Sequence, residues 1–347
     1  MTRQITIAGR PIGPGHPPYI IAELSANHNG ELARALELVD AAAAAGVDAI
    51  KLQTLRPDAI TIDHDGDQFI VKGGAWDGRR LFDLYAEAQT PWEWHEALFA
   101  KGRELGVTVF SSPFDHKAVE FLHGLDVPAF KVASFEMVDL PLIERIAQCG
   151  KPVIMSTGMG DLGQIGEAVD AARGADGLAL LHCVSAYPAR PEEANLRTIP
   201  HLADAFDTVV GLSDHTLGIG VAVASVALGA SIIEKHFTLR RADGGLDSEF
   251  SLEPAEMAEL VRQCRAAWAA LGRVNYALEE GEQGNVAFRR SLYVVADVAA
   301  GTVITEDIVR SIRPGFGLAP KHLKDLLGRR VRRDLARGTP FDWGMVE

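Results

Sequence analysis

Cysteine is scarce in this chain. Cys149, Cys183 and Cys264 are too few and too scattered among 347 residues for a disulfide framework, and no Cys-x-x-Cys pair points to structural zinc, so all three read as buried thiols. Long apolar runs are missing as well: none reaches the ~18 residues that cross a bilayer. The opening MTRQITIAGRPIG lacks the apolar stretch of a secretion signal, so a cytoplasmic location and no membrane partner are expected. Basic residues are in deficit, 34 against 47 acidic ones, for a formal charge of −13. That balance opposes nucleic acid or an anionic membrane as the main partner. A small anionic substrate stays compatible with it, because a local cluster of Lys and Arg outweighs a field screened beyond about 10 Å.

What is present is ordinary for a folded protein, with 47% hydrophobic and 23% charged residues. The length exceeds one compact core, so one large and one small domain are expected. Short β-branched runs recur along residues 1–272: YIIA, VDAIKLQ, GVTVFSSPFD, PAFKVASFE, PVIMSTG, LALLHCVSAYP, TVVGLSDHT and SIIEKHF. Helix-length segments separate most of them, such as ELARALELVDAAAAAG, which Gly46 closes as a C-terminal cap. Eight strand and helix units are the signature of an α/β fold of the (β/α)8 TIM-barrel type. An open doubly wound sheet is the alternative, but no GxGxxG opens the first βα turn. Residues 56–90 break the rhythm with Gly66, Gly73, Gly74 and Gly78, and read either as a lid at the mouth or as a packed surface excursion. Residues 273–287 are polar and acidic and read as a linker. Residues 288–347 are short β-like pieces between Gly and Pro, a small separate β-rich domain.

In a TIM barrel the active site sits where the strands end. Those ends hold Glu23, Lys51, Gln53, Ser111, Ser112, Lys131, Ser134, Glu136, Ser156, Thr157, His182, Tyr187, Ser213, Asp214, His215, Glu234, Lys235 and His236. Lys51 and Lys131 lie inside otherwise apolar strands, where an unpaired ammonium is costly. They favour a bound anion, a phosphate or carboxylate that Ser112, Ser134 and Ser213 also reach. The alternative is pairing with Glu23 or Glu136 inside the barrel. A Schiff base on Lys131 is a second chemistry, separable by borohydride trapping. His215 and His236 close two strands at one edge and form a candidate metal pair. A barrel metallohydrolase would share that feature, but it commonly has more ligands, and no HxH occurs. An inert barrel bearing a binding module would not need a polar group at every strand end. The Arg329 to Gly338 segment reads as a solvated face or a partner contact.

The stretches IIAELSANHNG, AIKLQT, TPWEWH, FSSPFD, KVASFE, STGM, SAYPA, GLSDHT, EKHFTL, GGLDSEFSLEP, FRRSLYV and SIRPGFGLAPKH closely resemble the sialic acid synthase family across both domains. SAYPA, TPWEWH and FSLEP point to its pseudaminic branch. The resemblance implies an enzyme that condenses phosphoenolpyruvate with an open-chain amino sugar to a nine-carbon 2-keto acid, releasing phosphate by C–O cleavage. It implies a divalent cofactor, Mn2+ or Mg2+, on His215 and His236, and phosphoenolpyruvate on Lys51, Ser112, Lys131, Ser134 and Ser213. Glu23, Tyr187 and Asp247 match sugar-site positions, and Glu136 an acid/base carboxylate. It further implies an antifreeze-like (SAF) C-terminal domain, whose Arg313 is lent to the sugar across a domain-swapped homodimer. Ser185 and Ala186 stand where the neuraminic branch has an Asn ahead of Tyr-Pro. That departure disfavours N-acetylmannosamine and favours 2,4-diacetamido-2,4,6-trideoxy-L-altrose, whose 6-methyl needs an apolar patch; legionaminic-type sugars are the alternative.

Overall fold

The computed structural model describes residues 3–74 and 76–347, which fall into two compact units, 1–272 and 273–347. The first begins with an antiparallel hairpin, β1 (Ile5–Ile7) and β2 (Arg10–Ile12), turning on Ala8 and Gly9, both with positive φ. Its alternation ITI-AG-RPI is a hairpin signal that reads only as a leader without its partner surface. Then come β3 (Tyr19–Glu23), α1 (Leu32–Ala44), β4 (Ala49–Thr54), α2 (Pro57–Ile60), α3 (Leu81–Ala88) and α4 (His95–Leu105). The series continues with β5 (Thr108–Pro113), α5 (His116–Gly124), β6 (Phe130–Val132), α6 (Leu140–Ala147), β7 (Val153–Ser156) and α7 (Leu162–Ala171). It closes with β8 (Leu178–Cys183), α8 (Thr198–Phe206), β9 (Val209–Asp214), α9 (Gly220–Ala227), β10 (Ile232–His236) and α10 (Pro254–Leu271). Strands β3 to β10 pair in parallel in chain order, and β10 pairs with β3, so the barrel is closed as expected.

Period-two alternation divides each strand between two cores. Ile20, Ile50, Val109, Val132, Met155, Leu180, Leu212 and Ile233 face outward, into one cluster with Leu38, Leu122, Ile143, Leu202, Val226 and Leu260 of the helices. Tyr19, Ile21, Phe110, Ile154, Leu181, Val209 and Ile232 face inward, and Ile5, Ile7 and Ile12 of the hairpin join them as the barrel floor. Each such side chain contributes roughly 1.5–3 kcal/mol when fully buried. Gly211 is required on the inner wall, since a Cβ there would lie 2.3 Å from Ile232 O. Helix starts are marked locally: Asp115, Asp139 and Asp161 cap α5, α6 and α7, and Pro254 opens α10 behind a Glu253/Glu256 capping box.

The second unit has its own core, including Leu292, Val294, Val309, Leu326, Val331, Leu335 and Phe341. Its regular structure includes an antiparallel pair, β11 (Ser291–Val294) with β12 (Val309–Ile312), one turn of helix, α11 (Leu323–Leu326), and 3-10 turns at Pro320–His322 and Trp343–Met345. The other β-like pieces form isolated bridges, such as Val298 with Leu335 and Val331 with Val346, because Gly and Pro interrupt them too often for a ladder. Within the expected linker, residues from Glu280 coil into 3-10 turns running to Phe288, behind a Glu279/Glu282 capping box. No helix among the described residues is long and apolar enough to cross a membrane.

One charged pair is buried on the outer face of the barrel. Lys235 Nζ lies 2.7 Å from Asp214 Oδ2, and both side chains are almost fully buried. Asp214 also accepts from the backbone and hydroxyl of Thr216, and Lys235 donates to Thr216 O, so the pair fixes the turn that carries His215. Removing one partner of such a pair leaves the other charge uncompensated. Lys235→Met should therefore lower unfolding free energy by about 3–5 kcal/mol, and adding Asp214→Leu should recover most of that loss, read by urea titration.

Candidate active site

The same alternation that makes the floor apolar makes the top of the barrel polar. β9 sends Ser213 inward and Asp214 outward, with His215 just past its end; β10 sends Glu234 and His236 inward and Lys235 outward. With Lys51 and Gln53 from β4, Lys131 from β6, Ser156 from β7 and Cys183 from β8, they line a cavity of about 350 Å³ at the C-terminal ends of the strands. Ser134, Glu136, Tyr187 and Asp247 reach the same cavity from the following loops.

The two strand lysines sit in different surroundings. Lys51 Nζ is 2.8 Å from Glu23 Oε2 and 2.9 Å from Glu234 Oε1, so for this lysine the internal carboxylate pairing is what the structure holds. The β3–β4 register sets Glu23 beside Lys51 and makes that pairing unavoidable. Burial pulls the Lys51 ammonium down to about 8, against Glu234, which raises it. Lys131 instead donates to Ser156 Oγ at 2.6 Å and Val132 O at 2.9 Å, neutral oxygens both. It is buried with no carboxylate in contact, the arrangement of an anion site. Burial alone would raise Glu234, but Lys131 and Lys51 outweigh it and hold this carboxyl below its usual range.

The imidazoles of His215 and His236 face one another with ring centroids 5.3 Å apart. His215 Nδ1 lies 2.9 Å from Val184 O; a carbonyl only accepts, so Nδ1 carries the proton and Nε2 is left with a lone pair. His236 Nδ1 is buried with no hydrogen-bond partner, 3.8 Å from Asp247 Oδ2. Burial, then the neighbouring His215 and Lys51 charges, keeps His236 neutral. Burial lowers His215, but its contact with Cys183 outweighs that and raises this imidazole above its ordinary value. Once that added proton is given up, His215 and the neutral His236 present lone pairs that fit a divalent cation whose remaining ligands are oxygens from outside the protein. Among the described residues no group of three or more His, Cys, Asp and Glu side chains is set to hold a metal. Tyr187 packs against His215 at 4.4 Å, and Phe250 against His236 at 5.0 Å, which orients both rings. Ser25, held at φ 48, donates to Asp247 and so fixes that carboxyl.

Of the residues read from the sequence, Lys51, Lys131, Ser134, Glu136, Tyr187, Ser213, His215, His236 and Asp247 meet at the cavity. Glu23 is fully buried behind Lys51, where Gln53 Nε2 donates to it at 3.0 Å. Ser112 is buried on the inner register of β5 beside Gln53, with an unpartnered Oγ, and it does not line the cavity. Arg313 is exposed in the second unit, just after β12. Gln53, Ser156 and Glu234 carry no role in the sequence reading but line the cavity; the shared parity of Glu234 with His236 was the available signal. The 56–90 excursion is folded, through α2, a 3-10 turn at Asp67–Phe69 and α3, and it too lines the cavity. Trp76 Nε1 donates to Leu246 O at 3.0 Å and fastens this excursion to the loop after β10.

Known proteins resemble this chain along both units. The family model described as the NeuB family matches residues 38–276, and that of the SAF domain residues 289–347. A pseudaminic acid synthase of Campylobacter jejuni is 44% identical over 92% of this chain and 94% of its own. An N,N'-diacetyllegionaminic acid synthase of Legionella pneumophila is 35% identical over 97% of each chain. The crystal structure of an N-acetylneuraminic acid (sialic acid) synthetase from Leptospira borgpetersenii, in complex with citrate, superposes with a TM-score of 0.73 and 32% identity, covering 82% of this chain and 96% of that one.

Glu136 gives this site a measurable titration. Burial pushes its carboxyl up to about 7, against its own backbone amide and Lys131, and its Oε2 has no partner. Below the unfolded value near 4.5 both states are protonated and the group is neutral to stability; the burden of ionising it in place grows as pH rises and is complete above about 7. Glu136→Gln should thus leave Tm unchanged near pH 4.5 and raise it progressively to pH 8, measured by parallel thermal melts.

Proposed function

This chain belongs to the NeuB family, and from that premise we propose that it carries out the pseudaminic acid synthase reaction, joining phosphoenolpyruvate to 2,4-diacetamido-2,4,6-trideoxy-L-altrose with release of phosphate. The observation that supports it most is one cavity holding a buried ammonium with no carboxylate in contact, Lys131, beside two facing imidazoles and a carboxyl raised to about 7. That set suits an anionic enol phosphate, a carbonyl electrophile and a proton carrier, in one place.

Lys131 and Lys51, with Ser112, Ser134, Ser156 and Ser213, bind the phosphate and carboxylate of phosphoenolpyruvate. Lys51 keeps its charge through Glu23 and Glu234, so it serves as a fixed dipolar anchor, while Lys131 offers a whole positive charge. Tyr187, Asp247 and Gln53 orient the open-chain sugar so that C3 of phosphoenolpyruvate meets its aldehyde carbon. His215 and His236 would hold a divalent cation, Mn2+ or Mg2+, which would supply Lewis-acid polarisation of that aldehyde. The new C–C bond takes its electron pair from the enol double bond and leaves C2 oxocarbenium-like, while the aldehyde oxygen becomes a hydroxyl by taking the proton of Glu136, which is then free to accept one. Water adds at C2 and gives its proton to Glu136, whose raised affinity matches a general base working near neutrality. The C2–O bond to phosphate then breaks as the C2 hydroxyl becomes the keto group and passes its proton to the departing phosphate, which the lysines stabilise.

The functional unit is a homodimer in which the second unit of one copy completes the barrel site of the other. Two features support this. Phe135, Val138, Met159 and Leu217, in segments following barrel strands, and Leu162 at the start of α7 expose large apolar side chains. Lys and Arg outnumber Asp and Glu in residues 289–347, against the acidic balance of the whole chain, and Arg313 there is exposed. Opposite local charges favour this docking between copies.

Offered the altrose sugar and N-acetylmannosamine in parallel with phosphoenolpyruvate and Mn2+, the enzyme should release phosphate and form a nine-carbon acid with the first alone. Turnover only of N-acetylmannosamine, or of the diastereomeric legionaminic precursor, would move it to another branch. Activity should vanish on EDTA dialysis and return with Mn2+, and Glu136→Gln should lower kcat by about 10²–10⁴-fold. Mixing Arg313→Ala with His236→Ala subunits should restore activity through heterodimers; no recovery despite confirmed exchange would refute the shared site.

A further inference from the structure

Helix α3 presents Leu81, Leu84, Tyr85 and Ala88 to the cavity, a spacing of i, i+3, i+4 and i+7. On a barrel protein such a stripe ordinarily packs against the body of the fold. Here it forms the wall of a site whose other residues are lysines, serines, histidines and carboxyls. Leu55, Ile60 and Val71 extend the same surface from the flanking segments, so the excursion between β4 and α4 supplies a continuous apolar wall. A wall of this kind adds nothing to holding a phosphate or polarising an aldehyde. It needs an apolar group on the ligand.

We infer that the α3 stripe is a specificity surface that receives the methyl end of the sugar and selects a 6-deoxy substrate over its 6-hydroxylated counterpart. The inference rests on the sugar substrate proposed above. The aldehyde end of an extended six-carbon chain is fixed at the histidines, and the phosphoenolpyruvate anion takes the lysines. C6 therefore reaches the lining that remains, which is the apolar wall. A hydroxyl at C6 would lose its water there, with no acceptor on the Leu and Val side chains to replace it. An apolar pocket discriminates against an added hydroxyl by up to roughly 10²-fold in kcat/KM, which sets the scale of the effect. The acetamido methyl at C4 is the competing occupant, and the two are separable by analogue.

The test compares kcat/KM for the 6-deoxy sugar, the matching sugar with a 6-hydroxyl, and a 6-deoxy analogue with hydroxyl in place of the C4 acetamido group. These are measured on the wild type, Leu84→Asn and the less buried Leu81→Asn, with KM for phosphoenolpyruvate and Tm recorded alongside. The wild type should prefer the 6-deoxy over the 6-hydroxy sugar by ten-fold or more. Each variant should raise KM for the 6-deoxy sugar and shrink that ratio several-fold while KM for phosphoenolpyruvate stays put. An unchanged ratio in both variants overturns the inference and leaves the substrate reading standing. A ratio that shrinks only for the C4 analogue also overturns it, by moving the wall to the acetamido group. Absence of turnover of either altrose sugar by the wild type overturns both the inference and the reading beneath it.

Discussion

Two ammonium groups buried near the top of a closed barrel are the constraint on which the rest of this site depends. Side chains on the inner register of β4 and β6 cannot reach bulk water, so each charge must be met by a partner, a ligand or a proton lost. Lys51 is met by Glu23 and Glu234, brought in by the strands on either side of the closure where β10 joins β3. Lys131 is met by hydroxyl and carbonyl oxygens only. Apolar replacements would stabilise such a core at least as well, so the network is retained for the geometry it imposes. The remaining carboxyls follow from the same low dielectric. Burial drives Glu136 and Asp247 both up to about 7, which lowers the negative charge an incoming anion would meet.

Much of this architecture was legible in the residues. The eight inner strands announce themselves as short β-branched runs ending in polar clusters, and parity along GLSDHT and EKHF places both histidines at one edge. What was not legible depends on contacts between distant segments. That Lys51 meets carboxylates while Lys131 does not follows from which strands are neighbours, a fact of closure rather than of composition. The hairpin of residues 5–12 has a clear alternating pattern, but its purpose appears only once the barrel floor exists to receive Ile5, Ile7 and Ile12. The stripe on α3 is readable as a helix face, yet nothing in its spacing says that it lines a reaction chamber. In the second unit the β-like runs are real but too interrupted to form ladders, so propensity overstates the strands there.

The division of labour within the barrel is therefore a gradient along each strand. Positions near the strand starts are apolar on both faces and contribute stability; positions near the ends are apolar outside and ionisable inside. The Lys235–Asp214 pair extends this economy to the outer layer, since it fixes the turn behind His215 by a buried charge where a hydrophobic contact would leave the loop free to rotate. The orientation of the imidazoles is thus held from behind by that pair and from the side by Tyr187 and Phe250.

The floor has a consequence for traffic. With isoleucines from the hairpin packed against the inner side chains of all but the upper layers, the chamber has one doorway, at the strand ends. Molecules that enter and molecules that leave share it. On the proposed reading, a reactant held at Lys131 and Ser156 would arrive before one seated nearer the opening, and phosphate released there would leave after the larger product. A vessel with a single door imposes a queue, and the order of that queue is written in how far down the strands each charged side chain stands.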